Sequence, residues 1–184
     1  MLVDVCGGTG DLALAVQRQH PGCRVLLTDF AQEMLRLARP KIGASAGRQP
    51  LIVSADACRL PLPDASCTGF TAAFGIRNLH SARAGLEEAR RVLKPGGRLA
   101  ILEFLRPTGA FGWAKSAGLR ALVPLVVWCV ASTHVGAYRY LVGSILSFLT
   151  VGEMRRLLEE CGFTDIEVYP QLLGIATIVG ATRG

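Results

Sequence analysis

The sequence of 184 residues lacks the patterns that mark metal sites and disulfide frameworks. Its six cysteines include no Cys-x-x-Cys pair, and its three histidines, His20, His80 and His134, stand apart. Dispersed cysteines are typical of reduced thiols in a cytosolic protein, whereas zinc sites and disulfide-rich domains show characteristic close spacings. The spacing therefore predicts neither a disulfide framework nor a metal site.

Charged and aromatic residues are both scarce, since 18% of the residues are charged and 7% are aromatic. The net charge of +6 favours an anionic surface, but the basic residues are scattered along the chain. Nucleic-acid binders typically cluster basic residues and interleave them with aromatic ones. The pattern predicts no nucleic-acid partner.

No apolar run is long enough to cross a membrane. The strictly apolar run Ala121–Ala131 has 11 residues and includes Pro124, whereas a spanning helix needs roughly 20. A buried helix fits this run, and so does a helix on a membrane surface with Arg120 at the water boundary. The sequence leaves both interpretations open.

The chain shows no internal repeat and no low-complexity linker, which predicts one domain over residues 1–184. Short apolar segments alternate with segments of helical periodicity, the pattern of a doubly wound, mostly parallel α/β sheet. The expected strands are Leu2–Val5, Cys23–Thr28, Leu51–Ser54, Ser66–Phe74 and Arg98–Phe104. We expect the second helix to break at Pro40 and the turn Lys94–Gly97 to precede the fifth strand.

The end of the chain departs from this alternation. Phe163–Tyr169 alternates between apolar and polar residues, and Leu173–Ala181 follows as a second strand. Two strands in such close succession predict an antiparallel hairpin at the sheet edge. An ordinary dinucleotide-binding domain does not end in this way.

A glycine turn after the first strand indicates a nucleotide-binding corner. Its glycines, Gly7, Gly8 and Gly10, lie between Asp4 and Asp11, and Asp29 ends the second strand. The spacing also fits a dinucleotide fingerprint, so an NAD-dependent reductase is one interpretation. A carboxylate at Asp11 would repel a pyrophosphate at the helix N-terminus. A ligand with a ribose, a positive charge and no phosphate fits better, and S-adenosylmethionine is one.

Four stretches carry a resemblance that covers essentially the whole chain: Asp4–Asp11, Phe74–Leu79, Leu93–Phe104 and Tyr138–Phe148. With them the sequence resembles class I S-adenosylmethionine-dependent methyltransferases, specifically the UbiE/MenG C-methyltransferases of ubiquinone and menaquinone biosynthesis. The resemblance implies a Rossmann-like α/β fold with a seven-stranded sheet. It also implies a helical lid segment before the first strand, which residues 1–184 do not include.

The resemblance implies S-adenosylmethionine as the cofactor and nine residues around it. Asp4 would hold the ammonium group, Asp29 the ribose hydroxyls and Asp56 the adenine amine. The other expected cofactor-binding residues are Gly7, Gly8, Thr9, Gly10, Ala57 and Ala73. Asp29 and Asp56 also stand where ordinary aspartates cap the next helix.

The implied substrate is a reduced polyprenyl quinol, methylated on a ring carbon. Arg77 and Asn78 are expected to contact the quinol oxygens, and Tyr138 to line the pocket, with His134 as a further candidate. The structural alternatives are an ion pair between Arg77 and a surface carboxylate, and Asn78 as the cap of the next helix. Other functions left open are methylation of another small hydrophobic acceptor and a non-catalytic cofactor-binding subunit of a quinone-biosynthesis assembly.

The expected location is cytoplasmic, with peripheral association at the inner face of the membrane where the quinol resides. The sequence leaves open whether the chain forms a homo-oligomer.

Overall fold

The computed structural model describes residues 1–45, 47–108, 143–171 and 176–184. The strands are β1 (Leu2–Val5), β2 (Val25–Asp29), β3 (Leu51–Ser54), β4 (Cys67–Ala73), β5 (Leu93–Glu103), β6 (Phe163–Gln171) and β7 (Ala176–Arg183). The α-helices with defined bounds are α1 (Asp11–Gln19), α2 (Gln32–Gly43), α3 (Ala82–Val92) and α4 (Val151–Glu160), and a short 3-10 helix spans Ile76–Asn78.

The seven strands form one sheet in the order β3-β2-β1-β4-β5-β7-β6. The first five strands are parallel, and β7 runs antiparallel to both β5 and β6. The strand order reverses between β1 and β4, and open α/β sheets bind their ligands at the carboxyl ends of the strands beside such a reversal. The predicted mostly parallel sheet and terminal hairpin are confirmed.

Helices cover both faces of the sheet. Alternate residues of a strand point to opposite sides, so each buried strand contributes apolar side chains to both faces. Val25 and Leu27 of β2 pack with α1 and α2 in one apolar cluster. Leu26, between them, belongs to the cluster that includes residues of α3 and α4. Burial on both faces explains why β2 is apolar without a polar alternation.

Among the described elements, the two largest differences from the expected boundaries lie at the end of α2 and at the start of β5. Pro40 does not break α2, which continues to Gly43. Pro40 is exposed, and so is Arg36, whose carbonyl loses its helical partner because proline has no N–H, so water can reach that carbonyl. Strand β5 begins at Leu93 rather than Arg98, with a shift in its register against β4 between Cys67 and Gly69.

Among the described residues, no helix is both long and apolar enough to cross a bilayer. The run Ala121–Ala131 lies outside the described residues, so its two interpretations stay predictions.

Candidate active site

A cavity of about 780 Å³ opens where the carboxyl ends of β1, β2 and β4 meet. Most of the residues expected around the cofactor line it, namely Asp4, Gly7, Gly8, Thr9, Asp29, Asp56, Ala57 and Ala73. These residues come from four separate parts of the chain. The parallel sheet brings them together because its strands all end at the same edge.

The glycine turn between β1 and α1 has no room for a side chain at Gly7. A Cβ there would lie 2.2 Å from Cδ1 of Leu27 and 2.7 Å from Oδ2 of Asp4. Gly10 adopts a φ of 80° at the N-cap of α1, and it is buried rather than on the cavity wall. The turn therefore keeps the backbone close to the cavity, and Gly10 serves the turn rather than the lining.

Asp4 is the most unusual group of the site because its side chain is fully buried. Its Oδ1 accepts a hydrogen bond from the Thr71 hydroxyl at 2.8 Å, while Oδ2 has no hydrogen-bond partner among the described residues. Burial raises the pKa of Asp4 to about 6, against the opposing effects of the Thr71 hydroxyl and the Ala13 N–H. A buried acceptor without a partner is costly unless a ligand supplies the donor.

Asp29 and Asp56 each accept hydrogen bonds from backbone N–H groups and can accept further ones from a ligand. The two oxygens of Asp29 accept the N–H groups of Gly8 and Ala31, both at 2.8 Å. Oδ1 of Asp56 accepts the N–H of Cys58 at 2.8 Å. A carboxylate has about four acceptor sites, so each residue can accept further hydrogen bonds from the cavity.

Phe30 is a cavity residue that the sequence reasoning missed. It follows Asp29 directly and is 80% exposed, and Met34 lines the same wall. An aromatic ring held open to solvent at a cavity suits a flat apolar ligand group such as a nucleobase. Its position directly after Asp29, the expected ribose-binding residue, is the sequence feature that could have identified it.

The described lining is acidic. It contains four aspartates, Asp4, Asp11, Asp29 and Asp56, and includes no lysine or arginine. Asp11 is exposed, and it accepts hydrogen bonds from Thr9 at 2.6 Å and from Lys41 at 2.9 and 3.0 Å. Such a lining disfavours a phosphate and favours a cation, as the position of Asp11 indicated.

The turn after β4 carries the residues expected to contact the acceptor. The exposed Asn78 lines the cavity and donates a hydrogen bond to the carbonyl of Phe74 at 3.3 Å. Arg77 also donates to that carbonyl, at 3.1 Å. Phe74 has a φ of 54°, a conformation that non-glycine residues rarely adopt, and these two hydrogen bonds help to hold it.

The guanidinium of Arg77 is not among the groups that line the cavity. It forms an ion pair with Glu103, and the two side chains are 8% and 0% exposed. It also lies 5.5 Å from the ring centre of Phe104, which packs against Phe74. The structure thus pairs Arg77 with a buried carboxylate rather than with the surface carboxylate of the alternative interpretation, and a direct contact with a quinol oxygen stays a prediction.

Burial shifts the pKa of two further titratable groups near the cavity, the carboxyl of Glu103 and the thiol of Cys6. Burial raises the pKa of Glu103, although hydrogen bonds from Phe104 and Arg77 act in the opposite direction. Burial also raises the pKa of Cys6 to about 12, so this cavity-lining thiol stays protonated at neutral pH. Cys6 is therefore not set up as a nucleophile. The remaining candidates, Tyr138 and His134, lie outside the described residues.

The fold is that of known methyltransferases. The phosphoethanolamine N-methyltransferase 2 of Haemonchus contortus, solved in complex with S-adenosyl-L-methionine, matches 99% of this chain and 48% of its own chain. The TM-score is 0.74 at 15% sequence identity. The chain therefore has the fold of class I methyltransferases, with its cavity at the carboxyl ends of the strands.

The chain belongs to the ubiE/COQ5 methyltransferase family, which it matches over residues 1–183. The demethylmenaquinone methyltransferase of Protochlamydia amoebophila is 40% identical over 97% of this chain and 75% of that protein. The ubiquinone/menaquinone biosynthesis C-methyltransferase UbiE of Geobacter sulfurreducens is 37% identical over 100% of this chain and 72% of that protein. The resemblance drawn from the sequence is confirmed.

Proposed function

We propose that this chain binds S-adenosylmethionine in the cavity and methylates a ring carbon of a polyprenyl quinol. The names of its relatives support the reaction, since they cover menaquinone and ubiquinone biosynthesis. The observation that carries the cofactor is the buried Asp4, whose Oδ2 has no partner among the described residues. An ammonium group would satisfy this oxygen and stabilise its charge.

The other cavity residues suit the remaining parts of the cofactor. Asp29 accepts both ribose hydroxyls beside the N–H groups that it already holds. Asp56 accepts the adenine amine, and Phe30 packs against the base. S-adenosylmethionine supplies an electrophilic sulfonium methyl group when bound, and the acidic lining favours its positive charge.

On the acceptor side, the residues must position a quinol and stabilise the oxygen that loses its proton. A quinol carbon becomes nucleophilic when the neighbouring hydroxyl ionises, because electron density moves into the ring. Asn78 lines the cavity and offers an amide to that oxygen. Arg77 stabilises the same turn from outside the cavity lining, through its ion pair with Glu103 and its hydrogen bond to the Phe74 carbonyl. Holding the carbon in line with the methyl group then supplies a large part of the rate.

Replacing Asp29 tests cofactor binding. We expect Asp29→Ala to weaken S-adenosylmethionine binding by about 1.5–3 kcal/mol, the range for hydrogen bonds to a charged group. Calorimetry on the folded variant measures this change. Asp64→Ala, which removes an exposed carboxylate outside the described cavity lining, is the matched control. Unchanged affinity in Asp29→Ala would contradict the assignment, and tighter binding of NAD would favour a reductase.

Turnover with a demethylquinol separates an enzyme from a non-catalytic cofactor-binding subunit. We expect a C-methylated product from a demethylmenaquinol or a ubiquinol precursor. Methylation of an unrelated phenol or sterol, with none of the quinol, would identify a different hydrophobic acceptor. Cofactor binding without any turnover would favour the non-catalytic subunit.

A further inference from the structure

Two loops meet at the edge of the cavity and bring together three different metal-ligating groups. The first is a tight turn, in which Arg59 donates its N–H to the Asp56 carbonyl at 2.9 Å. Cys58 of this turn contacts the carbonyl of Ser81 with its Sγ at 3.7 Å, and His80 precedes Ser81 in the second loop. One ligand atom from each of Asp56, Cys58 and His80 lies within 4.8 Å of the other two.

The three groups are available to a ligand. Among the hydrogen bonds and ion pairs of the described residues, none involves the exposed imidazole of His80. Among the described residues, the half-buried Cys58 thiol makes a long contact with the Ser81 carbonyl and a hydrogen bond with the side chain of Asp56, itself one of the three groups. Asp56 uses one oxygen to hold the Cys58 N–H and keeps the other for a ligand.

Both loops are anchored at their ends. Ser81 caps α3, since its hydroxyl accepts the Ala84 N–H at 3.2 Å. The buried Leu60, just after the turn, donates its N–H to Glu88 of α3 at 2.5 Å. Ligand binding therefore requires side-chain rotation at His80 and Cys58 rather than refolding of a loop.

We propose that Asp56, Cys58 and His80 form a Zn²⁺ site at the edge of the cofactor cavity. One oxygen, one sulfur and one nitrogen form a donor set of the kind that zinc takes, with bonds of about 2.0–2.3 Å. Ligand atoms around a tetrahedral zinc lie roughly 3.3–3.8 Å apart by those bond lengths, so a contraction of about 1 Å completes the site. The Cys58 thiol releases its proton to the buffer as it binds, and water takes the fourth position.

The site shares Asp56 with the cofactor. Zinc would occupy the carboxylate that the proposed function assigns to the adenine amine, so zinc and S-adenosylmethionine should oppose each other. This coupling rests on the proposed function, whereas zinc binding itself does not. Binding linkage requires each ligand to weaken the other by the same factor, and we expect roughly five-fold or more.

Calorimetric titration of the full chain with Zn²⁺ tests the site. We expect one ion per chain, with affinity reduced at least about ten-fold in Cys58→Ser and in His80→Gln. Replacing a residue that only hydrogen-bonds to a metal ligand already lowers metal affinity by about ten-fold or more. Cys23→Ser, which removes another half-buried thiol, and His20→Gln, which removes another exposed imidazole, should bind zinc as the unchanged chain does.

Co²⁺ gives a readout that does not depend on any variant folding. Co²⁺ bound through Cys58 should produce a near-ultraviolet thiolate-to-cobalt charge-transfer band in the unchanged chain, and Zn²⁺ should displace it. Absence of zinc binding, absence of this band, or equal zinc affinity in Cys58→Ser and Cys23→Ser would overturn the proposal.

Measuring S-adenosylmethionine binding in EDTA and then in saturating Zn²⁺ distinguishes the two proposals. Cofactor binding in EDTA that zinc leaves unchanged would overturn the coupling and leave the proposed function standing. Zinc binding without any cofactor binding would support the metal site and contradict the proposed function.

Discussion

Asp4 shows how burial changes a single residue of this protein. Its pKa rises from 3.8 to about 6 because the side chain is removed from water. Between these values the folded state holds a proton that the unfolded state has lost, so the free energy of unfolding falls as pH rises. Above about pH 6 the accumulated cost is constant, about 3 kcal/mol by linkage.

Asp4→Asn should remove this pH dependence because the amide does not ionise. We expect the variant to be more stable than the unchanged chain above pH 6, by up to about 3 kcal/mol. Denaturant unfolding at pH 4.5 and pH 7.5 measures how the free energy of unfolding changes with pH in the unchanged chain and in Asp4→Asn. Asp64→Asn, which changes an exposed carboxylate, is the control. The same variant should bind S-adenosylmethionine more weakly. An unaltered slope between the two pH values would show that Asp4 is not the titrating group.

Arg77 and Glu103 form a second residue-scale feature, a buried ion pair behind the cavity wall. Removing one partner leaves an uncompensated buried charge, so Arg77→Ala should lower the free energy of unfolding by about 3–5 kcal/mol. Denaturant unfolding measures this loss. The double variant Arg77→Met with Glu103→Leu should recover most of it, because no charge remains buried.

Activity of the double variant then separates the two roles of Arg77. Recovered stability with lost turnover and unchanged cofactor affinity would support a contact with the quinol. Recovery of both stability and turnover would show that Arg77 acts through the fold. A stability loss near zero in Arg77→Ala would contradict the buried pair itself.

At the scale of single elements, α4 begins with a capping box. The Thr150 hydroxyl accepts the Glu153 N–H at 3.2 Å, and the Glu153 carboxylate accepts the Thr150 N–H at 2.7 Å. Hydrogen bonds to this carboxylate from the Thr150 N–H and hydroxyl, with a smaller effect of Arg106, lower the pKa of Glu153 to about 2. The stabilisation from this carboxylate is therefore present above about pH 4.5 and is lost as pH falls towards 2.

Thr150→Ala should lower the free energy of unfolding by about 0.5–2 kcal/mol, the usual cost of losing an N-cap hydroxyl. Thermal or denaturant unfolding at pH 7 measures the change. Thr150→Ser keeps the hydroxyl and should retain most of the stability, and Thr164→Ala removes an exposed strand threonine as a control. Equal losses in Thr150→Ala and Thr150→Ser would mean that the methyl group, not the cap, matters.

At the scale of the whole molecule, the proposed polyprenyl substrate requires access to a bilayer. The run Ala121–Ala131 lies outside the described residues and is the part of the sequence suited to an interface. The net charge of +6 would add attraction to anionic headgroups, which salt weakens. We expect attachment to vesicles of anionic lipid that salt or alkaline carbonate partly reverses.

Polar replacements at Val126 and Trp128 should reduce vesicle binding and leave S-adenosylmethionine affinity nearly unchanged. Co-sedimentation with vesicles and calorimetry measure the two effects. Protein that only detergent releases would contradict surface attachment. Protein that never binds vesicles would make the run an ordinary part of the core.

The sequence by itself determined the local elements and their order. Apolar runs, stop signals and the glycine turn predict the parallel strands, the first helix and the position of Asp29, because each depends on neighbouring residues. Those patterns also sufficed for the family and the terminal hairpin. They failed at Pro40, because α2 continues through this exposed residue to Gly43.

Only the tertiary structure determined how distant residues act on one another. Arg77 meets Glu103 across 26 residues of chain, and two loops bring His80 beside Asp56 and Cys58. The shifted pKa of Asp4 likewise depends on burial by the packed sheet. Local sequence patterns do not contain this information, because charge interactions and desolvation depend on distances in space that packing alone sets.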